Sequence, residues 1–258
     1  MVVQQCTELL QKQTMIKVFI SGASKGIGKA IAEDFNEAKY EVVICSRSET
    51  SIKQFSSQCN KTNFKSLKID LGTKEGRHVL VEEFENSGYP DIVIANMNAS
   101  RAYSKMENYS TAEDFFSGIE NHISYLVDIL PGCLDKQRVA GYGRWVAISS
   151  VVSAMNGVKG MGYYLMQKRM LESFFDTLAL EVAHPGITSN SLLLGIIETE
   201  RIKTKANYKK LSRSNLLHRA GTVEEVAKLV KFLVQKEAGY ITGEKIKIDG
   251  GISKSWYI

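Results

Sequence analysis

The chain has 258 residues, of which 44% are hydrophobic and 24% charged, the proportions of a folded globular protein with a sizeable core. Its net charge is +5, too small an excess to indicate a nucleic-acid partner, and no apolar run approaches the ~18 residues of a membrane span. The cysteines are scattered, without C-x-x-C or histidines at metal-ligand spacing, so we expect a reduced, cytoplasmic protein without metal, membrane or nucleic-acid partners.

Short apolar runs alternate with longer amphipathic stretches along almost the whole chain. The apolar runs predict strands at residues 17–21, 41–45, 65–69, 91–95, 145–149, 189–194 and 245–248. The amphipathic stretches predict helices at residues 27–38, 51–58, 74–86, 111–135, 163–183 and 223–235. This alternation predicts an α/β fold, a doubly wound parallel sheet with helices on both faces. We expect one domain over residues 15–258 after an N-terminal extension of uncertain order, residues 1–14.

A glycine-rich turn, Ser21-Gly22-Ala23-Ser24-Lys25-Gly26-Ile27-Gly28, follows the first predicted strand. Glycines allow a tight turn and a close approach of the backbone to a pyrophosphate, which binds at the start of the next helix. Because ligands of such sheets bind at the carboxyl ends of the strands, we predict that this turn binds a dinucleotide. The alternative is a plain structural turn, since the spacing is G-x-x-x-G-x-G and not the commoner G-x-G-x-x-G.

The second predicted strand ends in Cys45-Ser46-Arg47, where an NAD site has an acidic residue and an NADP site accommodates the 2′-phosphate with an arginine. No acid occurs before Glu49, and Arg47 and Lys25 are both placed to face such a phosphate. The pattern favours NADP(H) as the cofactor. The alternative is a pair of solvated surface cations.

Tyr164 and Lys168 stand four residues apart in a predicted helix, shortly after a strand that ends in Ser149-Ser150. Positions i and i+4 share one helix face, so the lysine charge lies beside the phenol and favours its ionised form. A tyrosine whose pKa falls below its usual ~10 is a usable proton donor or acceptor near neutral pH. The spacing by itself is common in helices, and its weight comes from the motifs around it.

These motifs, in this order, resemble the short-chain dehydrogenase/reductase family over residues 16–251, nearest to its 3-oxoacyl-(acyl carrier protein) reductase branch. The resemblance implies a Rossmann-type fold and a NADP(H)-dependent carbonyl reductase or alcohol dehydrogenase. The positions that carry it are the turn at 21–28, Asp70-Leu71, Asn96, Asn121, Ser150, the Tyr164–Lys168 pair, and the C-terminal segments 240–243 and 249–251.

The resemblance also implies roles for single residues. Tyr164 would protonate the developing alkoxide, and Ser150 would hydrogen-bond the same oxygen. Lys168 would lower the tyrosine's pKa and hold the nicotinamide ribose, Asn121 would anchor a proton-relaying water, and Thr199 would bind the carboxamide. The cofactor-binding positions that it implies are Gly22, Ser24, Lys25, Gly26, Ile27, Gly28, Arg47, Asp70, Leu71, Asn96, Tyr164, Lys168, Ile197 and Thr199.

Three features depart from the family pattern. The N-N-A-G motif reads Ala95-Asn96-Met97-Asn98, and Leu194-Gly195 stands where the family has Pro-Gly. Tyr164 follows Ser150 by 14 positions, one more than the commonest spacing. Tyr163 keeps that commonest spacing, but the residue four positions later is Gln167, so we reject Tyr163 as the catalytic residue.

Residues 198–219 correspond to the family's substrate lid, and Glu200 is its only acid from 200 onwards. We expect such a lid to attract an anionic substrate or carrier, such as an acyl carrier protein, a coenzyme A thioester or an acidic sugar. A solvated basic loop is the alternative. The expected substrate is a small-molecule or carrier-bound ketone, foremost a 3-oxoacyl thioester. The lid cations are Arg201, Lys203, Lys205, Lys209, Lys210, Arg213 and Arg219.

Two other functions stay open on this sequence. One is an oxidoreductase of the same family that acts on a sugar, polyol or secondary-metabolite ketone. The other is a cofactor-binding regulator without turnover, which the departures at Met97-Asn98 and Leu194 would favour. The resemblance further implies a homo-oligomer, a tetramer or dimer, built through the helices at 111–135 and 163–183. The apolar C-terminus, Trp256-Tyr257-Ile258, fits a subunit contact.

Overall fold

The structure is a computed structural model that describes residues 15–57, 59, 63–97, 111–155, 159–182 and 184–254. The predicted N-terminal extension, Asn98 and the apolar C-terminus lie outside the described residues. The strands are β1 (Lys17–Ser21), β2 (Glu41–Ser46), β3 (Phe64–Lys68), β4 (Ile92–Ala95), β5 (Gly143–Ser150), β6 (Ile187–Leu194) and β7 (Lys245–Ile248). The helices are α1 (Gly26–Glu37), α2 (Glu49–Ser56), α3 (Lys74–Ser87), α4 (Ala112–Ala140), α5 (Gly162–Val182), α6 (Glu200–Lys203), α7 (Tyr208–Ser212) and α8 (Val223–Leu233), with short 3₁₀ segments at Val151–Ala154, Lys236–Ala238 and Ile252–Lys254.

The strands pair in parallel as one seven-stranded sheet in the order β3-β2-β1-β4-β5-β6-β7. From β1 the chain runs outward to β3, then returns to the other side of β1 and runs outward from β4 to β7. The predicted doubly wound parallel sheet is therefore confirmed. The reversal between β1 and β4 creates a crevice at their carboxyl ends, which is where such sheets bind ligands.

Helices cover both faces of this sheet, and the strand sequences show why. In β1, Val18 and Ile20 pack on the side of α1 and α8, whereas Phe19 packs on the side of α3 and α4. All three are fully buried, as alternating side chains of a strand covered on both faces must be. At the sheet edge, the exposed Lys245 and Lys247 alternate with partly buried isoleucines in β7 and discourage pairing with a further strand.

The predicted element boundaries agree closely with the structure except at the long helix. We predicted that helix at 111–135, but α4 continues to Ala140 with Pro131 inside it. Its last turns are held from outside, because Gln137 Nε2 donates to the carbonyls of Pro90 and Asp91, each at 3.2 Å. Trp145 Nε1 donates in turn to Gln137 Oε1 at 2.9 Å. Among the described helices, none is long and apolar enough to cross a membrane.

Candidate active site

The carboxyl ends of the strands open into a cavity of about 1020 Å³, at the upper end of the range for small-molecule sites. Its wall consists of the β1–α1 turn, the ends of β2, β4, β5 and β6, the start of α5, and the lid helices α6 and α7. Every residue that the sequence predicted as catalytic or cofactor-binding lines this cavity except Gly28. The roles given to these residues stay predictions; the structure brings them together around one space.

The β1–α1 turn needs glycine for two different physical reasons. Gly22 and Gly26 have φ angles of +65° and +56°, a region that other residues enter only with strain. Gly28 is buried, and a Cβ there would lie 2.5 Å from Nδ2 of Asn96 and 2.7 Å from the carbonyl oxygen of Gly22. Gly28 therefore makes room for packing between α1 and the turn, which accounts for its absence from the cavity wall.

Asn96 fixes this turn from the end of β4. Its Nδ2 donates to the carbonyls of Ser21 at 3.1 Å and Gly22 at 2.9 Å. The backbone amides of Asn96 and Met97 both donate to Ser21 Oγ at 3.0 Å, and that hydroxyl lies 2.8 Å from the hydroxyl of Tyr125. Asn96, the asparagine that this chain shares with the N-N-A-G motif, thus belongs to a hydrogen-bond network that orders the glycine turn.

The N-terminus of α1 is suited to an anion. Its N-cap, Lys25, is extended and makes no side-chain capping bond, and no acidic residue lies in the first turn. Lys25, Gly26 and Ile27 all line the cavity, so the uncapped end of a 12-residue helix faces that space. Unsatisfied amides and the positive end of the helix dipole favour a phosphate group there. The turn therefore fits the pyrophosphate of a dinucleotide.

The end of β2 forms the next part of the wall. Ser46 Oγ donates to Ser24 Oγ at 3.0 Å, which ties this strand end to the glycine turn. Arg47 Nη1 lies 3.8 Å from Asp70 Oδ2, with the two side chains 66% and 43% exposed. An ion pair so long and so exposed contributes little stability, so it holds Arg47 only loosely. Arg47 and Lys25 thus both border the cavity with their positive charges.

Cys45 also lines the cavity, which sequence reasoning did not foresee. Burial raises the pKa of its thiol to about 12, so Cys45 is a protonated apolar wall residue and not a nucleophile. Its position in a strand with alternating faces was the available signal. Among the described residues, Cys45, Cys59 and Cys133 are unpaired, and no group of three or more His, Cys, Asp or Glu is placed to hold a metal.

Ser150, Tyr164 and Lys168 all line the cavity. Ser150 ends β5, and its Oγ accepts a 3.4 Å hydrogen bond from the amide of Val152. Lys168 Nζ lies 5.8 Å from the ring centroid of Tyr164, so the ammonium and the phenol share one face of α5. Of the residues between Ser150 and Tyr164, 156–158 lie outside the described residues.

Tyr163 has a different environment from Tyr164. It is fully buried, and its hydroxyl donates to the carbonyl of Phe115 at 2.7 Å. Gly118 makes this possible, because a Cβ there would lie 2.2 Å from the Tyr163 hydroxyl. Tyr163 does not line the cavity, whereas Tyr164 does. The assignment of Tyr164 in place of Tyr163 stays a prediction, and the burial of Tyr163 away from the cavity supports it.

Lys168 is almost completely buried, with 2% of its surface exposed. Its Nζ donates to the carbonyl of Ile148 at 2.9 Å. Burial lowers the pKa of Lys168 to about 8, while the negative charge of Glu172 acts in the opposite direction. A lysine with such a pKa changes its protonation close to physiological pH, which suits a group that takes part in proton transfer.

Helix α4 carries two further polar residues of this region, Asn121 and His122. Asn121 lines the cavity next to Gly72, where a Cβ would lie 3.5 Å from Asn121 Nδ2. His122 is 1% exposed, and neither ring nitrogen has a hydrogen-bond partner in the part of the chain that the structure describes. Burial, with a smaller effect of the Lys168 charge, lowers the pKa of His122 to about 3, so its imidazole is neutral at physiological pH. Sequence reasoning did not single out His122 as a site residue.

The segment after β6 closes the cavity from above. Thr199 faces the glycine turn, since a Cβ at Gly26 would lie 3.4 Å from Thr199 Cγ2. Gly195 packs so tightly that a Cβ there would lie 2.7 Å from the Cα of Asp249. The glycine of the family's Pro-Gly pair is therefore the part that this packing requires, and Leu194 replaces the proline without opening the strand end.

The lid cations differ in their surroundings. Arg201 and Lys205 line the cavity. Lys203 pairs with Glu198 at 2.9 Å, and Arg219 pairs with Glu225 at 2.6 Å. Arg201 and Lys205 are therefore the cations of the described lid segment that border the cavity.

Comparison with known proteins identifies the family. The family model described as enoyl-(acyl carrier protein) reductase, of the short-chain dehydrogenase/reductase family, matches residues 22–253. The 3-oxoacyl-(acyl-carrier-protein) reductase FabG of Buchnera aphidicola subsp. Acyrthosiphon pisum is 32% identical over 238 residues, which are 91% of this chain and 96% of that protein.

Solved structures agree with the sequence comparison. YwfH, an NADPH-dependent reductase involved in bacilysin biosynthesis, superposes with a TM-score of 0.83 at 26% identity, over 94% of this chain and 100% of its own. L-Sorbose reductase from Gluconobacter frateurii, solved with NADPH and L-sorbose, gives a TM-score of 0.81 at 25% identity, over 93% and 97% of the two chains. Because the family model spans most of the sequence and the fold matches throughout, this chain belongs to the short-chain dehydrogenase/reductase family of oxidoreductases.

Proposed function

We propose that the protein is an NADP(H)-dependent carbonyl reductase, which also runs as an alcohol dehydrogenase in reverse, with Tyr164 as the proton donor. The observation that carries this proposal is the meeting of two sets of residues around one cavity. The glycine turn with the uncapped N-terminus of α1 lines this cavity, and so do Ser150, Tyr164 and Lys168. A nucleotide held by the first set would extend within the same cavity towards the second.

The residues divide the chemistry among them. When bound, NADPH supplies hydride to the carbonyl carbon of the substrate. Tyr164 donates its phenolic proton to the carbonyl oxygen as negative charge develops there, and Ser150 hydrogen-bonds the same oxygen. Lys168, charged below a pKa of about 8, favours the phenolate that Tyr164 becomes. Asn121 anchors a water that returns a proton to the site.

The preference for NADP(H) over NAD(H) rests on the charges that border the nucleotide end of the cavity. Lys25 and Arg47 are the cations there, and both line the wall. Arg47 is held only by a long, exposed pair with Asp70, so it is able to turn towards a 2′-phosphate. The similar YwfH and L-sorbose reductase are described with NADPH, which supports the same preference.

The proposed substrate is a 3-oxoacyl thioester or a similar keto compound, bound under a lid formed by residues 198–219. The curated relative is a 3-oxoacyl-(acyl-carrier-protein) reductase, and Arg201 and Lys205 give the cavity entrance a positive charge. Such an entrance favours a carrier-bound or otherwise anionic substrate. The apolar Met155 and Met161 line the same cavity and suit an acyl chain.

A second candidate is the reduction of a sugar, polyol or secondary-metabolite ketone by the same residues. The likeness to a structure of L-sorbose reductase supports it. Purified protein assayed for NADPH oxidation with β-ketoacyl thioesters, keto-sugars and simple ketones separates the two. The proposal expects the highest kcat/KM with a β-ketoacyl thioester. If NADPH binds but no carbonyl compound in the panel is reduced, the third possibility, a cofactor-binding regulator, replaces both.

Two neighbouring tyrosines provide a matched test of the proton donor. Tyr164→Phe should abolish reduction and leave NADPH affinity nearly unchanged, because only the transferred proton is lost. Tyr163→Phe is the control: it removes the buried hydrogen bond to Phe115, which costs about 1 kcal/mol of stability, and should retain turnover. Activity that survives in Tyr164→Phe would refute the assigned role.

We further propose a homo-oligomer, a tetramer or dimer, built through the two long helices. Phe116 and Val127 on α4 and Leu180 on α5 are large apolar side chains that are 59%, 51% and 79% exposed. Covering such residues with a second copy removes apolar area from water. Native mass spectrometry should give two or four copies, and Leu180→Glu should lower that number if α5 forms part of the contact.

A further inference from the structure

A buried acidic group lies behind the lysine of the proposed site. Glu172 follows Lys168 by one helical turn on α5, and the two are 3% and 2% exposed. Side chains four residues apart lie on the same helix face, with their Cβ atoms roughly 5–6 Å apart. Unpaired buried charges are strongly unfavourable, so two opposite charges placed this way stabilise each other's ionised forms.

Residues of two strands hold Glu172. Ser149, the neighbour of Ser150 in β5, donates its hydroxyl to Glu172 Oε1 in a short hydrogen bond. Lys245 Nζ of β7 lies 3.7 Å from Glu172 Oε2 and also pairs with Asp176 of α5 at 2.8 Å. The carboxylate is thus anchored between the strand that carries Ser150 and a half-exposed lysine at the sheet edge.

Among the described residues, the other elements around Lys168 contribute no negative charge. Helix α4 contributes His122, whose imidazole is neutral at physiological pH because burial lowers its pKa. Strand β5 contributes the carbonyl of Ile148, which accepts the 2.9 Å hydrogen bond from Nζ. On α5 itself, Tyr164 lies on the other side, with its ring centroid 5.8 Å from Nζ. Glu172 is the group whose charge acts in favour of the ammonium.

We propose that Glu172 is a positioning residue that keeps Lys168 protonated in the buried site, with Ser149 and Lys245 holding its carboxylate. This inference rests on the proposed function, since a charged Lys168 matters through the phenol of Tyr164. Burial alone drives the lysine towards its neutral form. Without Glu172, Lys168 loses its proton at lower pH, and the enzyme loses its charged lysine within the physiological range.

Glu172→Gln tests this role while keeping size and an oxygen that accepts from Ser149. The alkaline limb of the kcat profile for NADPH-dependent reduction should move about one pH unit or more towards acid. Asp176→Asn is the matched control, because it removes a charge from the same helix and the same Lys245 but lies two turns from Lys168; its profile should match the wild type. Glu172→Asp keeps the charge and should restore much of the wild-type profile.

A direct titration of Lys168 separates failure of this inference from failure of the proposed function. Lysines labelled with ¹³C at Cε are titrated by NMR, and Lys168→Arg identifies the resonance. A lower Lys168 pKa in Glu172→Gln supports the inference even if no carbonyl substrate is turned over. An unchanged pKa overturns it even in an active enzyme. Should Glu172→Gln fail to fold, Glu172→Met carries the same expectation, since it removes the charge without a new buried polar group.

Discussion

His122 is expected to make the protein sensitive to mild acid. Its folded-state pKa is about 3, against an ordinary value of 6.5, because the buried ring has no partner that would stabilise a charge. The unfolded chain takes up a proton as the pH falls through ~6.5, whereas the folded chain does not. The stability that follows from this lowered pKa is therefore complete above ~6.5 and is lost progressively down to about 3.

The size of this effect follows from the pKa difference. One pKa unit corresponds to about 1.4 kcal/mol, so the whole shift amounts to about 5 kcal/mol, of which about 2 kcal/mol is lost by pH ~5. That part of the range lies above the titration of ordinary carboxyl groups. Replacing His122 by leucine removes the titration and sacrifices no hydrogen bond, since neither nitrogen has a partner.

Urea unfolding at fixed protein concentration, at about pH 7.5 and about pH 5, measures how far the free energy of unfolding falls between the two pH values. The free energy of unfolding of the wild type should fall by about 2 kcal/mol more than that of His122→Leu. His78→Gln serves as the control, because His78 is 74% exposed and pairs with Glu82 at the surface. If wild type and His122→Leu lose equal stability, the ring is charged or solvated in the fold and the reasoning is refuted.

Three further predictions concern the glycine turn and the cavity wall. Gly28→Ala should lower stability by about 1–3 kcal/mol and weaken NADPH binding, because its Cβ would collide with Asn96 Nδ2; thermal unfolding and fluorescence titration measure both. Arg47→Asp should weaken NADPH at least tenfold, about 1.4 kcal/mol, and leave NADH nearly unchanged in the same titration. Arg201→Gln combined with Lys205→Gln should raise KM for an anionic substrate and leave kcat unchanged, with a smaller effect at high salt.

Each of these has an outcome that contradicts it. An unchanged melting temperature in Gly28→Ala would mean that the turn has space for a side chain. Equal losses of affinity for NADPH and NADH in Arg47→Asp would show that Arg47 does not bind the 2′-phosphate. For the lid, Lys209→Gln with Arg213→Gln is the control, because both residues are exposed and do not line the cavity. An equal rise in KM there would indicate general attraction by the basic segment.

Much of the fold could be predicted because its signals are local. Continuous apolar runs mark strands that are covered on both faces, and the glycine turn follows the first of them directly. The end of α4 could not be predicted, since Gln137 extends that helix through bonds to residues almost fifty positions earlier. Cys45 was missed for a related reason: its face of β2 became cavity wall only once α1 and the neighbouring strand ends were in place.

The same division applies to the site. The sequence by itself determined the order of the motifs, the i, i+4 spacing of Tyr164 and Lys168, and the rejection of Tyr163, because spacing along one helix sets which side chains share a face. Only the tertiary structure decided how far the pKa of each titratable group is shifted. The pKa of Lys168 and of His122 depends on burial beneath helices and strands distant in sequence, and the anchoring of Glu172 joins α5 to β5 and β7. Desolvation is a property of the packed surroundings, and no local pattern contains it.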